Sequence, residues 1–189
     1  MEMEIICETS MRHAHLSKAD VEALFGKGVT LECERMLSQP GQFLCKQRIN
    51  LVGPKSSFTN VGIIGPERKE SQVEISKTDA FALGVKEAPL RMSGDTEGAP
   101  NLVILDPSLT NSVSAPVIIA KRHAHLDPET AEKWGITDKQ IIKVRIDGER
   151  ATILDEVVAR IDKNFAPAIH IDADEANATY SPKNVTILL

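Results

Sequence analysis

The chain has 189 residues, enough to bury one large core or two small ones. Its 26% charged and 42% hydrophobic residues are those of an ordinary soluble globular protein, and no apolar run approaches the length of a membrane span. A formal net charge of -5 argues against a general nucleic-acid binder, and 4% aromatic content leaves no stacking platform for single strands.

In chain order, the opening Met1–Ile6 carries two glutamates rather than the basic start of a signal peptide, which makes the cytoplasm the default location. The pentapeptide Arg12-His13-Ala14-His15-Leu16 follows and reads as a strand. Ser17 is a good N-cap, and a short helix then runs to Gly26. Strands are expected over Gln47–Gly53, Val61–Gly65, Val73–Ser76, Leu102–Leu105 and Val117–Ala120, with turns at Gly53-Pro54, Gly65-Pro66 and Asp106-Pro107. The pentapeptide recurs at Arg122–Leu126, again followed by an N-cap (Asp127), then Pro128 at the first helical position and a stop at Gly135. Ile141–Ile146, Ala151–Leu154, Glu156–Ile161 and Ile169–Ile171 are further strands, the first pair joined through Asp147-Gly148, and Tyr180–Leu189 reads as a terminal strand. The fold class is mainly β with short α-helices (α+β), and strands this short and dense suggest small barrels rather than a parallel α/β sheet.

The two copies hold four of the five histidines; the fifth is His170. Side chains two apart on a strand share a face, so each His-x-His can chelate one divalent ion, and neutral imidazole suits zinc. One such pair is ordinary in a globular protein. Two with identical neighbours, and almost no histidine elsewhere, point to metal. A catalytic zinc typically takes three protein ligands. His170 can complete one site, and a carboxylate must complete the other: Glu74, alone among apolar strand residues, is a candidate, with Asp172, Asp174 and Glu175 competing. Arg68, which follows a turn, and Arg91 with Ser93 can offer donors to phosphate oxygens. Arg12 and Arg122 either orient the histidines or bind an anion. Cys7, Cys33 and Cys45 are odd in number and lack metal-site spacing, so they read as buried free thiols in a reducing compartment.

Several longer motifs carry a resemblance. Ser10–Ser17, Ser38-Gln39-Pro40-Gly41-Gln42-Phe43, Val52-Gly53-Pro54-Lys55, Ile64-Gly65-Pro66-Glu67-Arg68, Gln72–Asp79, Arg91-Met92-Ser93-Gly94-Asp95 and His170–Ala178 occur in order over nearly the whole chain. Together they resemble the phosphate propanoyltransferase family, the PduL-type phosphotransacylases of bacterial acyl-CoA metabolism and microcompartments. The resemblance implies two small β-barrel domains, 1–11 plus 121–189 and 12–120, with the active site between them. It implies two zinc ions per chain, one on His13, His15 and Glu74 and one on His123, His125 and His170. Arg68 falls where the family binds phosphate, Gln42 and Ser93 near the reacting groups, and Ser10, Arg35, Ile64, His170 and Asn177 where it touches coenzyme A. A homodimer follows from the family, as does the lumen of a microcompartment, among its enzymes, as an alternative location. The sequence departs from the pattern at Met11, where many members carry a small polar residue, at Gly62, a commonly basic position, and at Asp106, a usual glycine.

The implied activity is interconversion of short-chain acyl-CoA (propanoyl or acetyl) plus phosphate with acyl phosphate plus coenzyme A. The same ligand types also serve a dinuclear zinc thioesterase or phosphoesterase. A third reading is a zinc-stabilised module without catalysis, which predicts closed four-ligand sites.

Overall fold

The computed structural model describes residues 3–189. In chain order its elements are β1 (Glu4–Ser10), β2 (His13–His15), α1 (Lys18–Phe25), β3 (Cys33–Met36), β4 (Phe43–Val52), β5 (Ser57–Gly65) and β6 (Gln72–Glu74). Next come α2 (Lys77–Leu83), β7 (Leu90–Arg91), β8 (Asn101–Leu105), β9 (Ser112–Ala120), β10 (His123–Leu126) and α3 (Pro128–Trp134). The chain ends with β11 (Ile141–Ile146), β12 (Thr152–Ile161), β13 (Ala168–Asp172), α4 (Ala173–Ala178) and β14 (Asn184–Leu188).

Alternation within each pentapeptide sets the local geometry. Ala14 and Leu16, like Ala124 and Leu126, are fully buried in hydrophobic cores, which turns the histidines to the opposite face of their strands. Ser17 and Asp127 then cap the helices by accepting from the amides of Asp20 and Thr130.

The chain divides into two compact units, Arg12–Ala120 and Met1–Met11 with Lys121–Leu189. The first closes a six-stranded ring, β4-β5-β2-β6-β9-β8 and back to β4. The second closes β11-β12-β10-β13-β1-β14 and back to β11. Closure leaves these strands without bare edges.

The two rings match strand for strand in the order just given, with parallel and antiparallel pairings in the same places. β1 precedes the first pentapeptide yet closes the ring holding the second; β9 precedes the second yet closes the ring holding the first. The two halves of the chain thus exchange their leading strands. This is why each unit boundary falls just before a pentapeptide.

Several sequence expectations change in detail. Ala151–Leu154 and Glu156–Ile161 form one strand, bent at Glu156, whose φ is 56°. β3, β7, α2 and α4 were not foreseen. Cys33 is exposed rather than buried, because β3 is an appendage paired to β4 on one side and all four of its residues face solvent; Cys7 and Cys45 are buried as expected.

Two candidate metal centres

The first centre follows from strand register. β2 pairs antiparallel with β6, which sets His13 opposite Glu74 and His15 opposite Gln72. The His13 and His15 Nε2 atoms lie 3.3 Å apart, and each is 3.7 Å from a Glu74 carboxylate oxygen. Ligands at 2.0–2.1 Å in a tetrahedron about zinc would be about 3.3 Å apart, the spacing of the two histidine nitrogens, while each nitrogen is 3.7 Å from a different Glu74 oxygen. The His15 Nδ1–H donates to the Ile64 carbonyl oxygen (3.0 Å), fixing the tautomer that leaves Nε2 as ligand. Burial, with His13 and Arg68 as positive neighbours, lowers the His15 pKa to well below its ordinary value. Burial pushes the Glu74 carboxyl upward, but His13, His15, the Ser93 hydroxyl and Arg68 outweigh it and hold it ionised. A neutral His15 imidazole beside an ionised carboxylate is the state a divalent cation needs.

Glu74 is also a junction. The Ser93 hydroxyl donates to its Oε1 (2.6 Å), as does Gln72 Nε2 (2.5 Å). Arg68 Nη1 and Gln72 Nε2 donate to Ser93 Oγ at 3.0 and 2.8 Å. The Gly94 amide donates to Gln72 Oε1 (2.9 Å) and holds the Ser93 turn against β6. Arg68 is placed by its backbone, whose amide donates to the Leu16 carbonyl (2.9 Å) at the end of the first pentapeptide. A guanidinium is thereby fixed beside the first three-ligand cluster.

The second centre repeats the register with a different third ligand. β10 pairs antiparallel with β13, setting His123 opposite His170 where His13 faced Glu74. The ring centroids of His123, His125 and His170 lie 4.7 to 5.1 Å apart, and one donor atom from each falls within 4.8 Å of the others. Both His125 ring nitrogens are buried with no hydrogen-bond partner among the described residues, so either is available as a metal ligand. Burial first, then His123 and His170, lower its pKa to about 2. Phe165 stacks on the His125 ring (4.0 Å), the His123 Nδ1–H donates to the Lys121 carbonyl (2.8 Å), and Glu8 Oε2 lies 3.7 Å from His170 Nδ1. Both donor sets fit zinc.

A profile of the phosphate propanoyltransferase family matches residues 6–181. The chain belongs to that family. It is 51% identical over 171 residues to the phosphate propanoyltransferase of Enterococcus faecalis, covering 90% of this chain and 81% of that protein. Its identity to the Listeria monocytogenes enzyme of the same name is 49% over 185 residues, 98% of this chain and 86% of that one. For the Thermotoga maritima enzyme it is 50% over 175 residues, 92% and 83%. This phosphate propanoyltransferase family member is an acyltransferase. No described helix is long and apolar enough to cross a membrane.

The remaining expected residues fall in both units. Arg35 is exposed on β3, Ile64 half-buried on β5 with its carbonyl on His15, and Gln42 half-buried just before β4, closing a turn with Gln39. Ser10 ends β1 opposite Asp172, and Asn177 is exposed on α4. Of the carboxylates weighed against Glu74, Asp172 and Glu175 form the capping box of α4, and Glu175 pairs with Arg122 (2.9 Å). Arg12 pairs with Asp79 (2.7 Å) and lies over Phe58, so both pentapeptide arginines make ion pairs within their own units. Arg91 is exposed and pairs with Asp95. Met11 is exposed, and Gly62 sits opposite His13. Asp106 organises its turn by accepting from the amides of Ser108, Thr110 and Asn111.

Sequence reading missed Gln72, which hydrogen-bonds both Glu74 and Ser93. The alternation Gln72-Val73-Glu74 already placed it on the face of Glu74. A second repeat was also legible: Glu74-Ile75-Ser76 and His170-Ile171-Asp172 both run candidate ligand, isoleucine, N-cap into a capping box.

Proposed function

We propose that this chain catalyses reversible transfer of a short acyl group, propanoyl or acetyl, between coenzyme A and phosphate, using two zinc ions per chain. The observation that supports this most is the junction at Glu74, where Ser93 and Gln72 donate to the carboxylate of a two-histidine cluster and Arg68 donates to Ser93. An anion-binding side chain held against a candidate metal ligand suits a phosphate nucleophile.

Bound zinc would supply Lewis acidity toward the phosphate oxygens and the thioester carbonyl. The chain's own residues do the rest. Arg68 presents a cationic fork that binds phosphate and fixes its angle of attack. Ser93 and Gln72 hold Arg68 and Glu74 in place, so little reorganisation accompanies the developing charge. A phosphate oxygen attacks the thioester carbon. The C–S bond breaks as the C–O bond to phosphate is completed, and coenzyme A leaves as a thiolate that takes a proton. No serine or cysteine nucleophile takes part. Ser10, Arg35, Ile64, His170 and Asn177 are the proposed coenzyme A contacts, with Gln42 and Ser93 at the reacting groups. Compact units Arg12–Ala120 and Met1–Met11 with Lys121–Leu189 serve as the two domains. The working form is a homodimer, in the cytoplasm or a microcompartment lumen.

The test follows free thiol and acyl phosphate together from propanoyl-CoA, with and without phosphate. Phosphate-dependent thiol release matched by acyl phosphate is the expected result. Thiol release indifferent to phosphate would indicate a hydrolase, and an acyl-enzyme accumulating without phosphate would overturn direct attack.

A further inference from the structure

Two of the three cysteines are cross-strand neighbours. Cys33 on β3 and Cys45 on β4 are direct antiparallel partners. The Lys46 amide donates to the Glu32 carbonyl (2.8 Å), the bond that flanks a non-hydrogen-bonded pair. In such a pair the side chains share a face and the Cα atoms are about 4.5 Å apart, inside the roughly 4.4–6.8 Å range that a disulfide spans. The register then slips, because Arg35 pairs with Leu44, so two residues of β3 oppose one of β4. This bulge lies immediately beyond the pair and leaves its own pairing intact.

The two thiols are unequal. Cys33 is exposed, its sulfur 3.7 Å from Met36 Sδ. Cys45 is fully buried in the core, against Gly65, and burial raises its pKa to about 11. The third thiol, Cys7, is buried in the other unit. One thiol is thus open to reagents, and the one registered opposite it is shielded from them.

We propose that Cys33 and Cys45 form a redox-reversible disulfide, closed by exchange with a low-molecular-weight disulfide. In the first step the Cys33 thiolate attacks the small disulfide, forming a mixed disulfide and expelling one small thiol. In the second the Cys45 thiolate attacks the Cys33 sulfur and expels the other. Two protein S–H bonds are lost, one S–S bond forms within the chain, and the reagent is reduced to two thiols. Cys33 reacts first because it is the accessible partner; the pair's proximity drives the second step despite the burial of Cys45. A cross-strand disulfide at an exposed edge strand belongs to the easily reduced kind that suits reversible closure in a reducing compartment. Closure fastens β3, which among the described residues pairs with β4 alone, to the barrel. The disulfide of coenzyme A falls within the reagent class, and its thiol is a product under the function proposed above, although the pairing itself does not depend on that reading.

The experiment treats the folded, reduced, full-length protein with the aromatic disulfide DTNB, counting released thionitrobenzoate and weighing the product. The expected result is about two equivalents released per chain, a product about 2 Da lighter than the reduced protein with no adduct, and a Cys33–Cys45 peptide that dithiothreitol separates. Cys45→Ala should release about one equivalent and keep the adduct on Cys33. Release of a single equivalent by the wild type, with a stable adduct and Cys45 still a thiol, would overturn the proposal, as would a disulfide to Cys7. The wild-type mass decides the matter even if the variant fails to fold.

Discussion

Replacing Arg68 with alanine is the sharpest perturbation of the proposed chemistry. Its guanidinium donates to Ser93 (3.0 Å), one hydrogen bond from Glu74, while its backbone amide holds the Leu16 carbonyl and is unaffected by truncation. Removing one preorganised donor to a charged transition state costs about 3 kcal/mol, or roughly 100-fold in rate. The loss should fall on kcat/KM for phosphate, with the KM for acyl-CoA changing far less. Arg68→Lys keeps the charge but loses the fork, and should recover about tenfold of the deficit. The assay is initial-rate kinetics with phosphate and propanoyl-CoA varied separately, and a circular dichroism spectrum confirms the fold. A change below about threefold, or an equal change in both KM values, would refute the placement of phosphate at Arg68.

Other outcomes follow from packing and capping. A Cβ at Gly53 would lie 2.3 Å from the Leu83 carbonyl oxygen, so Gly53→Ala should destabilise by about 1–3 kcal/mol and lower Tm by several degrees in calorimetry. Asp127→Ala removes the acceptor of the Thr130 amide (2.9 Å) and hydroxyl (2.7 Å) and should cost about 1 kcal/mol in urea unfolding at neutral pH. Those hydrogen bonds lower the Asp127 pKa in the folded protein. Its contribution is therefore fully present above the unfolded value near 3.8 and lost as pH falls through the lower folded one, so wild type and variant should converge in acid. Chelation should abolish turnover while leaving the far-ultraviolet dichroism near native, because each unit has its own buried hydrophobic cluster. Unfolding on chelation would instead favour a purely structural metal.

The legible parts of the fold were those governed by short-range rules. Both pentapeptide strands and both helices after them follow from alternation, an N-cap and a glycine stop. α2 and α4 escaped although their capping boxes stand in the sequence and α2 also stops at Gly84; unlike the helices after the pentapeptides, they have no repeated motif before them to draw attention to the cap. β3 carries Cys33-Glu34-Arg35-Met36, with no apolar alternation, because a strand outside the ring buries neither face. The terminal strand begins only at Asn184, since Tyr180 and Ser181 take positive φ and turn the chain first. The third candidate ligand of each set is harder to read, because it depends on which strands pair. Glu74 and His170 each stand opposite the first histidine of a pentapeptide, a register that no local pattern encodes.

Metal content and turnover measured together test the central claim most directly. The protein as purified, His15→Ala and His125→Ala would each be analysed for zinc by mass spectrometry and assayed for phosphate-dependent release of coenzyme A. The account predicts two zinc ions per chain in the wild type, about one in each variant, and loss of most activity in both. Full turnover by a metal-free wild type, or by a variant lacking one ion, would contradict it.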